Sequence, residues 1–196
     1  MTAPVYVVSG WMRSGTSMMM HALETGGMEA AYRTQRDKMR VAHADKWYDP
    51  NPGGLYELHR DDYRRAGFPA GYEGKLVKAL RRGPSRMAHV DGGIKCVYML
   101  RDHEEQRQSL MGFFGNVPPT VEKLAAETEL NLAAIRARDD IDLMTLEYAD
   151  VIADPKGRLA EVAAFFGVDL DVDKAASVVS PDLYRYRKEN LEPGVV

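Results

Sequence analysis

A single cysteine, Cys96, stands in a chain of 196 residues, which excludes an intramolecular disulfide and a thiolate metal cluster and suits a reducing compartment. Long apolar runs are missing too. No stretch approaches the roughly eighteen residues that a membrane span needs, and the first apolar segment lacks the basic flank and the length of a secretory signal. The expectation is a cytoplasmic protein with no membrane partner. A net charge of −3 removes the strongly basic profile of a bulk nucleic-acid binder, and no repeat or low-complexity tract is visible.

What remains is an ordinary globular composition, 45% apolar and 28% charged, long enough for one α/β core over residues 1–196 with a polar C-terminal tail at 181–196. The chain is organised around its beginning. Val5-Tyr6-Val7-Val8 is β-branched and aromatic and reads as a buried strand, which breaks at Ser9-Gly10. From Thr16 a helix runs until Gly26-Gly27 stops it. Strand, glycine loop and helix together cradle an anion, because successive amides converge on one point where the helix adds roughly half a positive charge.

The loop spacing nearly matches the G-x-x-x-x-G-K-[ST] pattern, with Gly10 and Gly15 as its glycines and Ser17 as its hydroxyl. Thr16, however, stands where the lysine belongs, which argues against ordinary ATP or GTP chemistry. The cation in this loop is Arg13.

Downstream, residues 33–86 hold thirteen Lys or Arg against seven Asp or Glu, a positive stretch within an acidic chain that suits an anionic ligand. A polar helix is expected over Arg33–Ala44. After the turn cluster Asp49–Gly54 another is expected over Leu55–Arg65. Lys75–Leu80 reads as a short strand with Lys78 near its C-terminal end, where ligands gather in parallel sheets. Gly93–Leu100 is a near-continuous apolar strand, followed by Arg101-Asp102 and a helix from His103 to about Phe114 that carries Ser109 two turns in.

Pro118-Pro119 open a long helix, Thr120–Arg138, and Ile141–Tyr148 is a further strand. A helix then runs through Phe165-Phe166, and residues 172–180 form a last short one. The alternation predicts a single three-layer α/β P-loop domain, with a central parallel sheet of about four or five strands flanked by helices.

Gly10-x-x-Arg13-Ser14-Gly15-Thr16-Ser17 resembles the 5′-phosphosulfate loop of the sulfotransferases that use 3′-phosphoadenosine 5′-phosphosulfate (PAPS). Arg101 and Ser109, eight apart, resemble that family's Arg and Ser that bind the 3′-phosphate, with His103 in place of the usual proline. Tyr148-Ala149-Asp150, followed by a helix ending in Phe165-Phe166-Gly167, resembles the segment whose tyrosine lies beside the adenine. Asn51–Glu57 resembles an Asn-Pro-x-Gly-aromatic-x-Glu element of compact bacterial members, with Leu55 in place of the aromatic.

The resemblance implies a PAPS-dependent sulfotransferase that moves a sulfuryl group to a hydroxyl or amine of a small-molecule acceptor, without a metal. It implies that Arg13, Ser14, Gly15, Thr16, Ser17, Arg101, Ser109 and Tyr148 bind the donor, and that Arg13 and Lys78 stabilise the transferring group and the leaving oxygen. The family's Lys-Thr-His strand appears here as Lys78-Ala79-Leu80, so the usual histidine base is missing. Glu57 is the expected base, with His21, His43, His59 and His89 as rivals. Arg185 and Arg187 in the tail are open between a 3′-phosphate contact and solvated charge. Arg101 is open between that phosphate and an ion pair with Asp102 or Glu105. A small P-loop kinase and a catalytically silent nucleotide-binding protein are the alternative functions.

Overall fold

The computed structural model describes residues 2–31, 54, 56, 58, 60–64, 68, 70–115 and 117–187. In chain order these form β1 (Val5–Gly10), α1 (Thr16–Thr25), β2 (Ala30–Ala31), α2 (Arg60–Arg64), β3 (Leu76–Lys78), β4 (Ile94–Leu100) and α3 (His103–Phe114). They continue with α4 (Val121–Arg136), β5 (Ile141–Glu147), α5 (Tyr148–Ala153), α6 (Pro155–Phe166) and α7 (Val172–Ser177). The five strands form one parallel sheet in the order β2-β3-β1-β4-β5. From β1 the chain goes outward on one side to β2 and β3, then returns past β1 to β4 and β5. Strand order therefore switches beside β1, where open parallel sheets place ligands at their carboxyl ends.

Alternation along the strands sends side chains to two helical layers. Val8, Leu76, Val97, Met99 and Leu146 pack with α1, α5, α6 and α7 through Met19, Met20, Leu23, Val151, Leu159, Val162, Phe166 and Ala175. Val5, Val7, Val77, Ile94, Cys96, Tyr98 and Ile141 pack on the other face, with Leu132 and Ile135 of α4 and Tyr63 of α2. Each such buried side chain contributes about 1.5–3 kcal/mol relative to exposure. Cys96 belongs to this core, and burial pushes its thiol pKa far up, so it is held as the neutral thiol.

Helix ends follow their residues. Asp102 caps α3 by accepting from the amides of Glu104 and Glu105, and Thr120 Oγ1 caps α4 by accepting from Lys123 N at 3.3 Å. On β4, Lys95 donates to the carbonyls of Phe165 and Phe166 at the C-terminal end of α6, at 2.9 and 3.1 Å.

Several boundaries differ from the sequence expectation. The helix expected over Leu55–Arg65 is α2, Arg60–Arg64; Tyr56 has φ 56°, which a right-handed helix does not admit. The strand expected over Lys75–Leu80 contracts to Leu76–Lys78, because Arg81 turns at φ 57° to donate its amide to Gly10 O. Tyr148 opens α5 rather than ending β5, and the last helix stops at Ser177, before a 3₁₀ turn at Pro181–Leu183. β2 is too short to carry a sequence period. The helix expected over Arg33–Ala44 lies outside the described residues.

Candidate functional site

The loop from Gly10 to Gly15 is shaped by two glycines. A β-carbon on Gly10 (φ 147°) would meet Met99 O at 2.7 Å, and one on Gly15 (φ 91°) would run into the Tyr148 ring. Ser14 closes the turn by donating both its amide (3.2 Å) and its hydroxyl (2.7 Å) to Trp11 O. Gln106 Nε2 donates to Met12 O at 2.9 Å, and Arg101 Nη1 donates to Arg13 O at 3.1 Å. In a trans peptide C=O and N–H point opposite ways, so tying back the Met12 carbonyl turns the Arg13 amide the other way. The amides of Thr16, Ser17 and Met18 open α1, and its N-cap residue Gly15 has no side chain to satisfy them.

Lys78 supplies the cation that the loop lacks at Thr16. It sits beside Val8 in the sheet, on the α1 face, 3% exposed, and its Nζ donates to Ser17 Oγ at 2.9 Å. Strand β3 thus delivers an ammonium to the first turn of α1.

On the other side of the loop, Arg13 Nε donates to Ser109 Oγ at 3.1 Å, with its guanidinium 4.8 Å from the Phe113 ring centroid. Arg13 itself has φ 67°. Arg101 follows the end of β4, its side chain 7% exposed. Its Nε pairs with Glu105 Oε2 at 3.3 Å, and Nη2 donates to Tyr186 O at 3.0 Å. With Nη1 committed to Arg13 O, one N–H on each terminal nitrogen is left to meet a ligand. The ion pair with Glu105 is therefore present, and it steers the guanidinium rather than consuming it.

Tyr148 is 5% exposed, wedged between Gly15 and Tyr184, whose ring meets it edge-on at 4.9 Å. Tyr184 donates to both oxygens of Glu105, at 2.9 and 2.6 Å. Burial first, then this bond, pushes the Tyr184 pKa well up. Arg187 stacks 5.0 Å from the Tyr184 ring centroid and donates to the carbonyls of Tyr184 and Pro181. Residues 181–187 are thus tied to the fold by these contacts, Pro181 and Asp182 exposed and the rest half-buried.

The structure brings Arg13, Ser14, Gly15, Thr16, Ser17, Lys78, Arg101, Ser109 and Tyr148 to the carboxyl edge of the central strands. Glu57, His43 and His59 lie outside the described residues. His89 lies at the opposite edge, beside Asp140 at 3.3 Å. His89, Asp139 and Asp140 place ligand atoms within 4.8 Å of one another, but Asp140 is already paired with Arg138.

No protein-family profile matches the chain, and no curated protein matches it in sequence. Solved structures do. The sulfotransferase STF1 from Mycobacterium tuberculosis H37Rv aligns at a TM-score of 0.54 and 14% identity, over 92% of this chain and 72% of its own. A mouse sulfotransferase, SULT7A1, complexed with PAP aligns at 0.54 and 14%, over 90% of this chain and 64% of its own. The chain has the sulfotransferase fold. A sugar kinase from Janibacter sp. HTCC2649 aligns at a TM-score of 0.45, a distance at which likeness of activity does not follow.

Within this sulfotransferase fold, sequence reasoning missed Gln106, Tyr184 and Arg81. Arg81 lies 4.2 Å from the Trp11 ring centroid and pairs with Glu127 of α4, so it braces the loop from outside. The sequence carried no signal for Gln106, whose burial on a polar helix is a property of the fold. Among the described residues, no helix is long and apolar enough to cross a membrane.

Proposed function

We propose that the protein is a PAPS-dependent sulfotransferase acting on a hydroxyl or amine of a small-molecule acceptor. The observation that carries this reading is the pair of contacts flanking one loop, Lys78 Nζ to Ser17 Oγ at 2.9 Å and Arg13 Nε to Ser109 Oγ at 3.1 Å. Both cations approach the N-terminus of α1 from opposite sides, and the donor set is the one that a phosphosulfate fits: ammonium, guanidinium, hydroxyls and backbone amides. PAPS supplies an activated sulfuryl group, and the protein's part is positioned charge.

In this reading Arg13 and the amides after Gly15 orient the 5′-phosphosulfate, and Lys78 faces the oxygen that accumulates charge as its bond to sulfur breaks. Arg101, with Ser109, holds the 3′-phosphate. Tyr148 borders the base by its exposed edge. The resemblance alone points to Glu57 for the acceptor's base, and the described residues offer a different group, argued below.

The test is a thermal-shift comparison of adenosine 3′,5′-bisphosphate, AMP, and ATP with magnesium, followed by transfer from labelled PAPS to an acceptor panel. The bisphosphate should stabilise the fold by about 2.7 kcal/mol at a hundredfold excess over its Kd, and AMP by less. Equal shifts with AMP would remove the 3′-phosphate assignment. A preference for ATP with magnesium would favour the kinase alternative.

A further inference from the structure

We infer that His21 is the catalytic base that takes the acceptor's proton, an assignment that rests on the sulfuryl-transfer reading above. Ser17 and His21 are four residues apart on α1, so they share one helix face with β-carbons about 5–6 Å apart. Side chains on a helix lean toward its N-terminus, which tilts the imidazole back over Ser17, the residue that Lys78 grips.

In-line transfer places the leaving oxygen and the attacking oxygen on opposite sides of sulfur, with reacting atoms about 3–3.5 Å apart before bonding. A base one helical turn from the lysine's partner spans that separation. As the acceptor oxygen bonds to sulfur, its proton passes to the unprotonated ring nitrogen of His21. The bond from sulfur to the bridging oxygen breaks, and its electron pair stays on that oxygen, facing Lys78.

Two further observations single out this histidine. Its ring stacks on Tyr56, centroids 6.5 Å apart and planes 26° apart, and neither ring nitrogen hydrogen-bonds a described residue. Tyr56 is 2% exposed at φ 56°, a conformation that a bulky residue adopts only when its surroundings impose it. The strained tyrosine fixes the imidazole plane while its nitrogens stay available. Among the described residues, Glu24 stands three positions on along α1, and Lys78 on β3 reaches the same helix one turn back, at Ser17. On α7, Asp171 is paired with Lys174, and Asp173 with Lys156.

The experiment measures labelled sulfate released from PAPS with water as acceptor, and transfer to an acceptor panel, across pH 5–9. For the wild-type chain, turnover should fall on the acid side, because a protonated imidazole cannot accept the acceptor's proton. His21→Gln should lower kcat by roughly 10²–10³, abolish that acid limb, and leave adenosine 3′,5′-bisphosphate binding within about twofold. Imidazole added to His21→Ala should restore part of the rate.

Independently of turnover, the His21 ring resonances should move when the bisphosphate and sulfate are bound together, as a ring bordering the sulfuryl position must. An intact acid limb in His21→Gln, or its loss in Glu57→Gln with His21 present, would overturn the assignment. A wild-type chain that binds the bisphosphate but transfers no sulfuryl group to water or any acceptor would instead overturn the transferase reading itself, and this base with it.

Discussion

Two largely enclosed arginines sit at opposite edges of the sheet and do different things with the same guanidinium. Arg138, at the amino edge, grips Asp140 in a fork, Nε to Oδ1 at 2.7 Å and Nη2 to Oδ2 at 2.5 Å. It spends its other donors on the carbonyls of Ser85, Met87 and Ala88. Every arm is turned on the protein, so this arginine is a staple between the segment before β4 and the end of α4. Arg101, at the carboxyl edge, touches Glu105 with one nitrogen and binds the carbonyls of Arg13 and Tyr186. Its carboxylate is shared with Tyr184. One arginine has every donor turned on the protein; the other keeps donors to spare beside the Gly10–Gly15 loop.

The contrast breaks if the two prove interchangeable. Arg138→Ala strands the 5%-exposed Asp140 carboxylate and should cost about 3–5 kcal/mol in urea unfolding, near the lower figure because Arg138 is itself partly solvated. Folded molecules of that variant should keep their preference for adenosine 3′,5′-bisphosphate over AMP. Next in size, Lys78→Met should lower kcat by about 10²–10³, some 2.7–4 kcal/mol of transition-state stabilisation, with little change in PAPS affinity. An unchanged kcat would make Lys78 a packing partner of Ser17 and nothing more. Arg101→Ala should erase most of the bisphosphate-over-AMP difference, about 1.5–3 kcal/mol for a charge-assisted contact. A large loss of stability with that difference intact would place Arg101 with Arg138, among the staples.

The fold was legible where one residue pattern had one physical outcome. β4 is covered on both faces, so its run of apolar residues could be little else, and α3 spans the expected His103–Phe114, where the structure shows Asp102 capping it and Gly115 ending it at φ 69°. α2 was misplaced because a positive φ at Tyr56 leaves no mark in a pattern of apolar and polar residues. Motif spacing located the loop, Arg101 and Ser109, since each belongs to a short segment. It could not locate contacts made by the fold. Lys78 and Ser17 are 61 positions apart, and Tyr184 and Glu105 are 79 apart, so neither pairing exists until the sheet brings the segments together. The C-terminal stretch read as a polar tail for the same reason. Tyr184 and Tyr186 are ordinary polar aromatics until Glu105 and Arg101 meet them.

The smallest expected effect sharpens the same comparison through pH. Burial pushes the Asp140 carboxyl pKa up, but the hydrogen bonds from Arg138 and the Val90 amide, with the charges of Arg138 and His89, outweigh it, and the net shift is downward. A carboxyl that is more acidic in the folded than in the unfolded chain binds fewer protons when folded, so its stabilisation is present above the unfolded value of about 3.9. That stabilisation drains as pH falls through the folded pKa. Asp140→Asn removes this dependence while keeping the shape. The variant should be less stable than the parent at pH 7, and the gap between them should narrow as pH is lowered from 5 to 3, read from urea midpoints at each pH. Carboxylates shared by both chains steepen both curves alike and cancel in the difference. A gap that stays constant over that range would mean that Asp140 contributes by hydrogen bonding alone, and that the staple at the amino edge does not depend on its charge.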